Sequence, residues 1–326
     1  KGAPVVEVEV MSDVAYPGRV GQRRPGERGR FLLRNGRGAR FLELQSLADE
    51  PWLVAAELDD RGAEARIFQA ASIDIEEIEA AFEHQVQEVE EVMWDEESGR
   101  VRAQRQRRLG SLVLSDAALR KPSPDAVAAV LLQGLRTAGL SALPWSKESE
   151  QLRLRIAFLH NLEPAVWPHA SEAALIDALE EWLQPFVGGM RSLEDLRRVD
   201  LIQALMTWIG WDRKDALAAL APTHVRVPSG SNIRLDYSDP ESPVLAVRLQ
   251  EVFGLTETPR VGGGRIPVTM RLLSPAQRPV QVTRDLASFW KDAYFEVRKE
   301  MRGRYPKHYW PEDPLQAEAT RRTKPR

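Results

Sequence analysis

The spacing of apolar and polar residues changes twice along the chain. Up to about Ala118 the period is two. Val6, Val8 and Val10 alternate, and Val54, Ala56 and Leu58 alternate before Asp59-Asp60-Arg61-Gly62, after which Ala65 and Ile67 resume. Arg30–Arg34 is a short run closed by Asn35-Gly36, a hairpin signal. Val86–Trp94 and Val101–Arg107 flank the polar loop 95–99, and Leu112–Leu114 reads as a last short strand. Short strands with turns every 8–12 residues predict a small barrel or sandwich.

From Pro122 to Ala221 the period is helical. Ser123-Pro124 supplies a cap and a first-turn proline. Leu175, Ile176, Leu179, Trp182 and Leu183 form one stripe, and Leu196, Val199, Ile202, Leu205, Met206 and Ile209 form another. Ser192/Asp195 and Asp212/Asp215 have capping-box spacing. The tryptophans at 145, 167, 182, 208 and 211 are expected in helix packing. From Thr223 alternation returns as a hairpin over Val225–Tyr237. Val244–Phe253 reads as a helix stopped by Gly254. Strands follow at Ile266–Leu272 and Val280–Val282. Asp285–Gly303 reads as one long helix, with Leu286, Trp290, Tyr294, Val297 and Met301 on its buried side. The expected architecture is α+β and multidomain. An OB-like β-barrel spans 1–118, a helical bundle 119–222 and a C-terminal α/β domain 223–316, followed by a disordered tail over 317–326.

Composition narrows the function classes. The 326 residues contain no cysteine, which removes thiolate catalysis, disulfides and cysteine-held metals and suits a reducing cytoplasm. No apolar run reaches the ~18 residues of a membrane-spanning helix, so membrane insertion is not expected. The first residue is Lys, and the chain is expected to be part of a longer one.

Net charge is only -3, but it is distributed in blocks. Eight arginines and one acid lie between Arg19 and Arg40. Eleven acids and no Lys or Arg lie between Asp74 and Glu97, with Arg100, Arg102, Arg105, Arg107 and Arg108 directly after. Fourteen bases and seven acids lie between Arg265 and the end. Such blocks serve as solvated faces, as intramolecular pairs or as tracks for phosphate.

No catalytic constellation is present. The five histidines do not fall at metal-ligand spacing, and there is no G-x-S-x-G elbow. Gly262-Gly263-Gly264 lacks the phosphate-loop pattern and its lysine, and reads as a turn. Asp95-Glu96-Glu97-Ser98 lies in a hairpin loop. No cofactor or metal is expected in this chain. What remains is basic residues on strands: Arg102, Gln104, Gln106 and Arg108 share one predicted strand face.

The stretch Leu273-Ser274-Pro275-Ala276-Gln277-Arg278-Pro279-Val280-Gln281-Val282-Thr283-Arg284-Asp285-Leu286 leads to Phe289-Trp290, Tyr294 and Val297-Arg298-Lys299-Glu300-Met301-Arg302-Gly303-Arg304-Tyr305-Pro306-Lys307-His308, then Trp310-Pro311. It resembles the C-terminal signature of the HrpB family of bacterial DExH-box ATP-dependent RNA helicases. Glu27–Leu33 with Asn35–Gly38, Trp52–Asp59, and Pro144–Ser146 with Arg155–His160 resemble the same family. The likeness runs from about Tyr16 to Pro314. Residues 1–15 do not share it, and nothing matches the family's two RecA-like motor domains or the winged-helix and ratchet-type domains.

The resemblance implies a C-terminal accessory region of a helicase. Its OB-like domain would help hold single-stranded RNA, and the region would pack against motor domains of the same polypeptide, where ATP and Mg would be used. Arg37, Arg105, Arg108, Arg298, Arg302, Arg304 and Lys307 are the candidate RNA contacts. The alternative is a protein–protein interaction module that docks a partner of the helicase.

Overall fold

The computed structural model describes residues 18–59 and 61–325. The alternation at Val6, Val8 and Val10 lies outside them. The chain divides into two compact units, residues 1–130 and 131–326.

In the first unit β1 (Val20–Arg23), β2 (Arg30–Leu33), β3 (Gly38–Phe41), β4 (Trp52–Asp59) and β5 (Glu64–Ser72) close into a barrel in the order β1-β2-β3-β5-β4. Five closed strands agree with the small barrel expected from the alternation. Only β3 and β5 run parallel. Phe31, Leu33, Ala39, Leu53, Ala55, Ala65 and Ile67 fill the interior. Their neighbours point outward, as the two-residue period of a strand requires.

The later strands do not join the barrel. Helix α1 (Ile75–Ala81) intervenes, started by a capping box in which the Glu77 carboxylate accepts from the Asp74 backbone N–H. Strands β6 (Gln87–Asp95), β7 (Arg100–Leu109) and β8 (Leu112–Ala118) then form a separate antiparallel sheet. A second cluster of Val20, Trp52, Ile78, Phe82, Leu109 and Leu112 ties this sheet and α1 to the barrel. The β7–β8 turn meets the β2–β3 turn, where the Ser111 N–H donates to the Arg34 carbonyl at 2.9 Å. Gly110 has φ +60°, and a Cβ there would lie 2.5 Å from that carbonyl oxygen, so only glycine fits.

Helix α2 (Pro124–Ala138) crosses the boundary between the units. In the second unit α3 (Lys147–Leu162), α4 (Glu172–Asp177), α5 (Leu179–Trp182), α6 (Leu193–Leu196), α7 (Leu201–Ile209) and α8 (Lys214–Leu220) follow. Ser146 and Ser149 form a capping box on α3. Ser192 caps α6 and Asp200 caps α7, so the predicted 196–209 stripe belongs to two short helices. Asp212 caps nothing: Arg213 holds the cap position of α8. Trp167 and Trp182 are buried as expected, whereas Trp211 is 53% exposed.

Strands β9 (His224–Arg226), β10 (Asn232–Asp236) and β11 (Val244–Arg248) come next, then the pair β12 (Arg260–Val261) and β13 (Ile266–Pro267), then β14 (Thr269–Leu273) and β15 (Pro279–Thr283). The main sheet has the order β15-β14-β11-β10-β9. The helix expected over Val244–Phe253 is thus strand β11 followed by a 3₁₀ turn at Leu249–Glu251. A short apolar run fits either period, and parallel pairing with β14 decides in favour of strand.

The long helix expected over Asp285–Gly303 is two: α9 (Leu286–Lys291) and α10 (Tyr294–Arg304). The break at Asp292-Ala293 lets Trp290 and Tyr294 both pack on Phe253, with ring centroids 6.2 Å away in each case. The predicted apolar stripe is nonetheless buried throughout. Beyond α10 the chain folds back. The Tyr294 hydroxyl donates to the Pro311 carbonyl at 2.8 Å, and burial pushes its pKa upward. Residues 317–325, expected to be disordered from composition, carry contacts of their own. Thr320 is buried and its N–H donates to the Gln250 carbonyl at 2.9 Å. These are backbone contacts, which no side-chain period announces.

Arg298 is held by this return: its Nε donates to the Trp310 carbonyl at 3.1 Å and it pairs with Glu312 at 3.3 Å. Arg302 is exposed and has no ion pair among the described residues. Urea denaturation should separate the three positions. Trp290→Ala is expected to cost about 3–5 kcal/mol as a large-to-small core change. Arg298→Gln should cost about 1–3 kcal/mol by leaving the Trp310 carbonyl unpaired. Arg302→Gln should stay within about 0.5 kcal/mol. Equal costs at Arg298 and Arg302 would contradict this reading.

Candidate nucleic-acid interface

The barrel's outer face carries a row of like charge. Arg30 on β2 lies directly opposite Arg40 on β3, and Arg40 lies directly opposite Arg66 on β5. All three are exposed while Phe31, Ala39, Phe41, Ala65 and Ile67 beside them are buried. Neighbouring strands are about 4.8 Å apart, so the row presents cations at close intervals. Like charges directly opposite one another destabilise a sheet.

The row is only partly neutralised. Glu64, two residues before Arg66 on the same face, is shared by three guanidinium groups. It lies 3.8 Å from Arg24, 4.0 Å from Arg30 and 3.8 Å from Arg40. Glu27 adds a pair to Arg30 at 3.0 Å, and Asp59 stands opposite Arg66. Each of these pairs has an arginine or carboxylate in contact with solvent, where an ion pair contributes about 0–1 kcal/mol. On the same strand as Arg66, Phe68 is 51% exposed, and Leu42 follows Arg40 at 57%. Cations beside an exposed ring on one strand face are the elements of a single-strand binding surface.

The β6–β7 ribbon resolves its charge differently. Arg102 pairs with Asp95 at 2.6 Å, Arg105 with Glu90 at 3.0 Å, Arg107 with Glu79 at 2.5 Å and Arg108 with Glu91 at 3.0 Å. The Ser98 hydroxyl first, and Arg102 with it, hold the Asp95 carboxyl below its ordinary range. The acidic and basic blocks therefore pair with each other. The face expected to carry Arg102, Gln104, Gln106 and Arg108 also turns inward, since Gln106 is buried and the ladder with β8 shifts at Arg107/Arg108.

The remaining candidates are dispersed. Arg37, at the β2–β3 turn, donates to the Gly62 carbonyl at 2.7 Å. Arg105 and Arg108 lie in the separate sheet. In the second unit Arg298 is committed to Trp310 and Glu312, and Arg304 pairs with Glu300 at 3.0 Å. Arg302 and Lys307 are exposed. The glycine run 262–264 forms the β12–β13 turn. Its carbonyls accept from Arg260 and Arg265, so it offers acceptors where a phosphate needs donors. Arg30 and Arg40 lie within the basic block evident in the sequence. Arg66 does not, and the row escapes a reading of the sequence because a cross-strand register is not written in any one segment. The usable signal is the alternation of Arg30, Arg40 and Arg66 with core residues.

Comparison with known proteins agrees with this anatomy. Residues 85–119 match the family described as "ATP-dependent RNA helicase HrpB, connector region", which coincides with β6–β8. Residues 182–314 match "ATP-dependent helicase C-terminal" of the HrpB type. The chain is 43% identical over 313 residues to the ATP-dependent RNA helicase HrpB of Escherichia coli strain K12, covering 95% of this chain and 39% of that protein. A crystal structure of the E. coli DExH-box NTPase HrpB superposes with a TM-score of 0.60 at 42% identity, covering 94% of this chain and 38% of that one. A second, of the E. coli DEAH/RHA helicase HrpB, gives 0.52 at 39% identity, covering 91% and 37%. The chain spans about two fifths of the length of these relatives, and it belongs to the HrpB family, corresponding to that family's C-terminal part.

Proposed function

We propose that the chain is a non-catalytic accessory region of an ATP-dependent RNA helicase. It holds single-stranded RNA on the barrel and packs against RecA-like motor domains of the same polypeptide, where ATP and Mg are used. The observation that carries the RNA reading is the row Arg30, Arg40 and Arg66, under-neutralised by Glu64 and flanked by exposed Phe68. A like-charged row costs stability, and a bound phosphodiester backbone offsets that cost. The exposed ring supplies a stacking partner for a base, worth about 1–3 kcal/mol per base. Among the seven basic residues singled out in the sequence, Arg302 and Lys307 are the exposed cations that could extend the phosphate-binding surface. Arg105 and Arg108 contribute less, because their guanidinium groups already face carboxylates.

Assigning ATP hydrolysis to the parent's motor follows from the absence of G-x-x-x-x-G-K-[ST] in this sequence. The purified chain should therefore show no RNA-stimulated ATP turnover, and turnover that survives repurification would contradict the assignment.

The RNA surface is tested by titrating a labelled oligouridylate at several salt concentrations. Replacing Arg30, Arg40 and Arg66 together by Gln should weaken binding about tenfold or more near 0.1 M salt. It should also flatten the plot of log affinity against log salt by about 0.7 for each phosphate that the variant no longer neutralises. Replacing Arg105 and Arg108 should do markedly less. An unchanged affinity and slope in the triple variant would make the row a solvated face.

A further inference from the structure

The second unit has an open groove of about 860 Å³ between α3, α7, α8 and the β9–β10 hairpin. Its floor is aliphatic: Leu152, Ile202, Met206 and Leu217. Ile202 is 40% exposed, on a helix whose other apolar residues are buried or half-buried, and its exposed neighbours Gln203 and Thr207 are uncharged. At one end stands the exposed indole of Trp211, whose Nε1 donates to Thr207 Oγ1 at 3.3 Å. A large aromatic and a branched aliphatic left in water around one concavity are unusual for a free surface.

The walls are cationic. Lys214 lines the groove from α8. His224 and Asn232 line it from the hairpin, and their cross-strand partners are Arg234 and Arg226. Those four residues share the exposed face of β9 and β10. Lys147 adds a cation at the start of α3, where the Arg234 guanidinium donates to the Lys147 carbonyl at 2.9 Å. Against Lys147, Lys214, Arg226 and Arg234 stand Glu148 in the groove and Asp236 at the end of the hairpin face. The charge excess is therefore positive.

We infer that this groove is a docking site for an acidic amphipathic helix of a protein partner. Leu- or Phe-type side chains at i, i+3, i+4 and i+7 would fill the aliphatic floor and pack on Trp211, and Glu or Asp on the flanks would meet Lys214, Arg226 and Arg234. An aliphatic floor favours a peptide over single-stranded RNA, because successive bases need successive aromatic faces and the groove offers one. The site is separate from the barrel row and does not depend on the RNA reading.

The probe is a fluorescein-labelled peptide of about 16 residues with Leu at helix spacing and Glu elsewhere, read by anisotropy against the full chain. A scrambled peptide of the same composition and an oligouridylate serve as comparisons. The patterned peptide should bind at least about tenfold tighter than the scrambled one. Ile202→Glu and Trp211→Ala, both at exposed positions, should each lower its affinity about tenfold, as should Arg226→Glu with Arg234→Glu. A thermal melt confirms that the variants remain folded. Equal binding of both peptides, no binding, or indifference to Ile202→Glu and Trp211→Ala would overturn the inference. Loss of oligouridylate binding in those two variants, with peptide binding unchanged, would reassign the groove to RNA and overturn it equally.

Discussion

Closure of the five-stranded barrel is the constraint on which the RNA surface rests. Once Phe31, Leu33, Ala39, Ala65 and Ile67 are committed to one interior, the register of β2, β3 and β5 is fixed. A slip of one residue would turn the core outward. Arg30, Arg40 and Arg66 then have no choice but to stand side by side on the outside. The sheet could relieve this with an opposing acid at each position, as it does at Asp59. It instead supplies Glu64 to three guanidinium groups and Glu27 to one of them.

The same residue type meets two other fates elsewhere. On β7 the arginines face carboxylates of β6 and α1 almost one for one, so the ribbon keeps little charge to offer. At the C-terminal end Arg298 is spent on a carbonyl and Glu312, one turn away from solvent-exposed Arg302. Local charge density therefore ranks these surfaces poorly. What ranks them is how many acids each guanidinium already shares, and with how much solvent.

Much of the fold is legible in the sequence. The alternation around Asn35-Gly36 and around residues 59–62 marks β2 to β5, and the stripe from Leu286 to Met301 marks a buried face that is indeed buried. The separate sheet is not legible as separate, because the helix that divides it from the barrel is short and acid-rich. Asp74 and Glu77 are the available sign of it. Val244–Phe253 misleads because Leu245 and Val247 satisfy a strand only once β14 lies beside them. At the candidate site the basic block around Arg30 and Arg40 is visible, but Arg66 and the shared Glu64 depend on pairing between distant segments. Pairing of the acidic and basic blocks is one of the readings open in the sequence, and the β6–β7 register realises it.

The most direct test places RNA on the surface rather than measuring its affinity. An oligoribonucleotide containing 4-thiouridine, cross-linked to the full chain by near-ultraviolet light and mapped by peptide mass spectrometry, reports which side chains touch bases. The account predicts adducts in the peptides carrying Phe68 and Arg66 and those carrying Arg30 or Arg40, and their disappearance in the triple Gln variant. Adducts confined to β7 or to the second unit, with the barrel peptides unmodified, would contradict it.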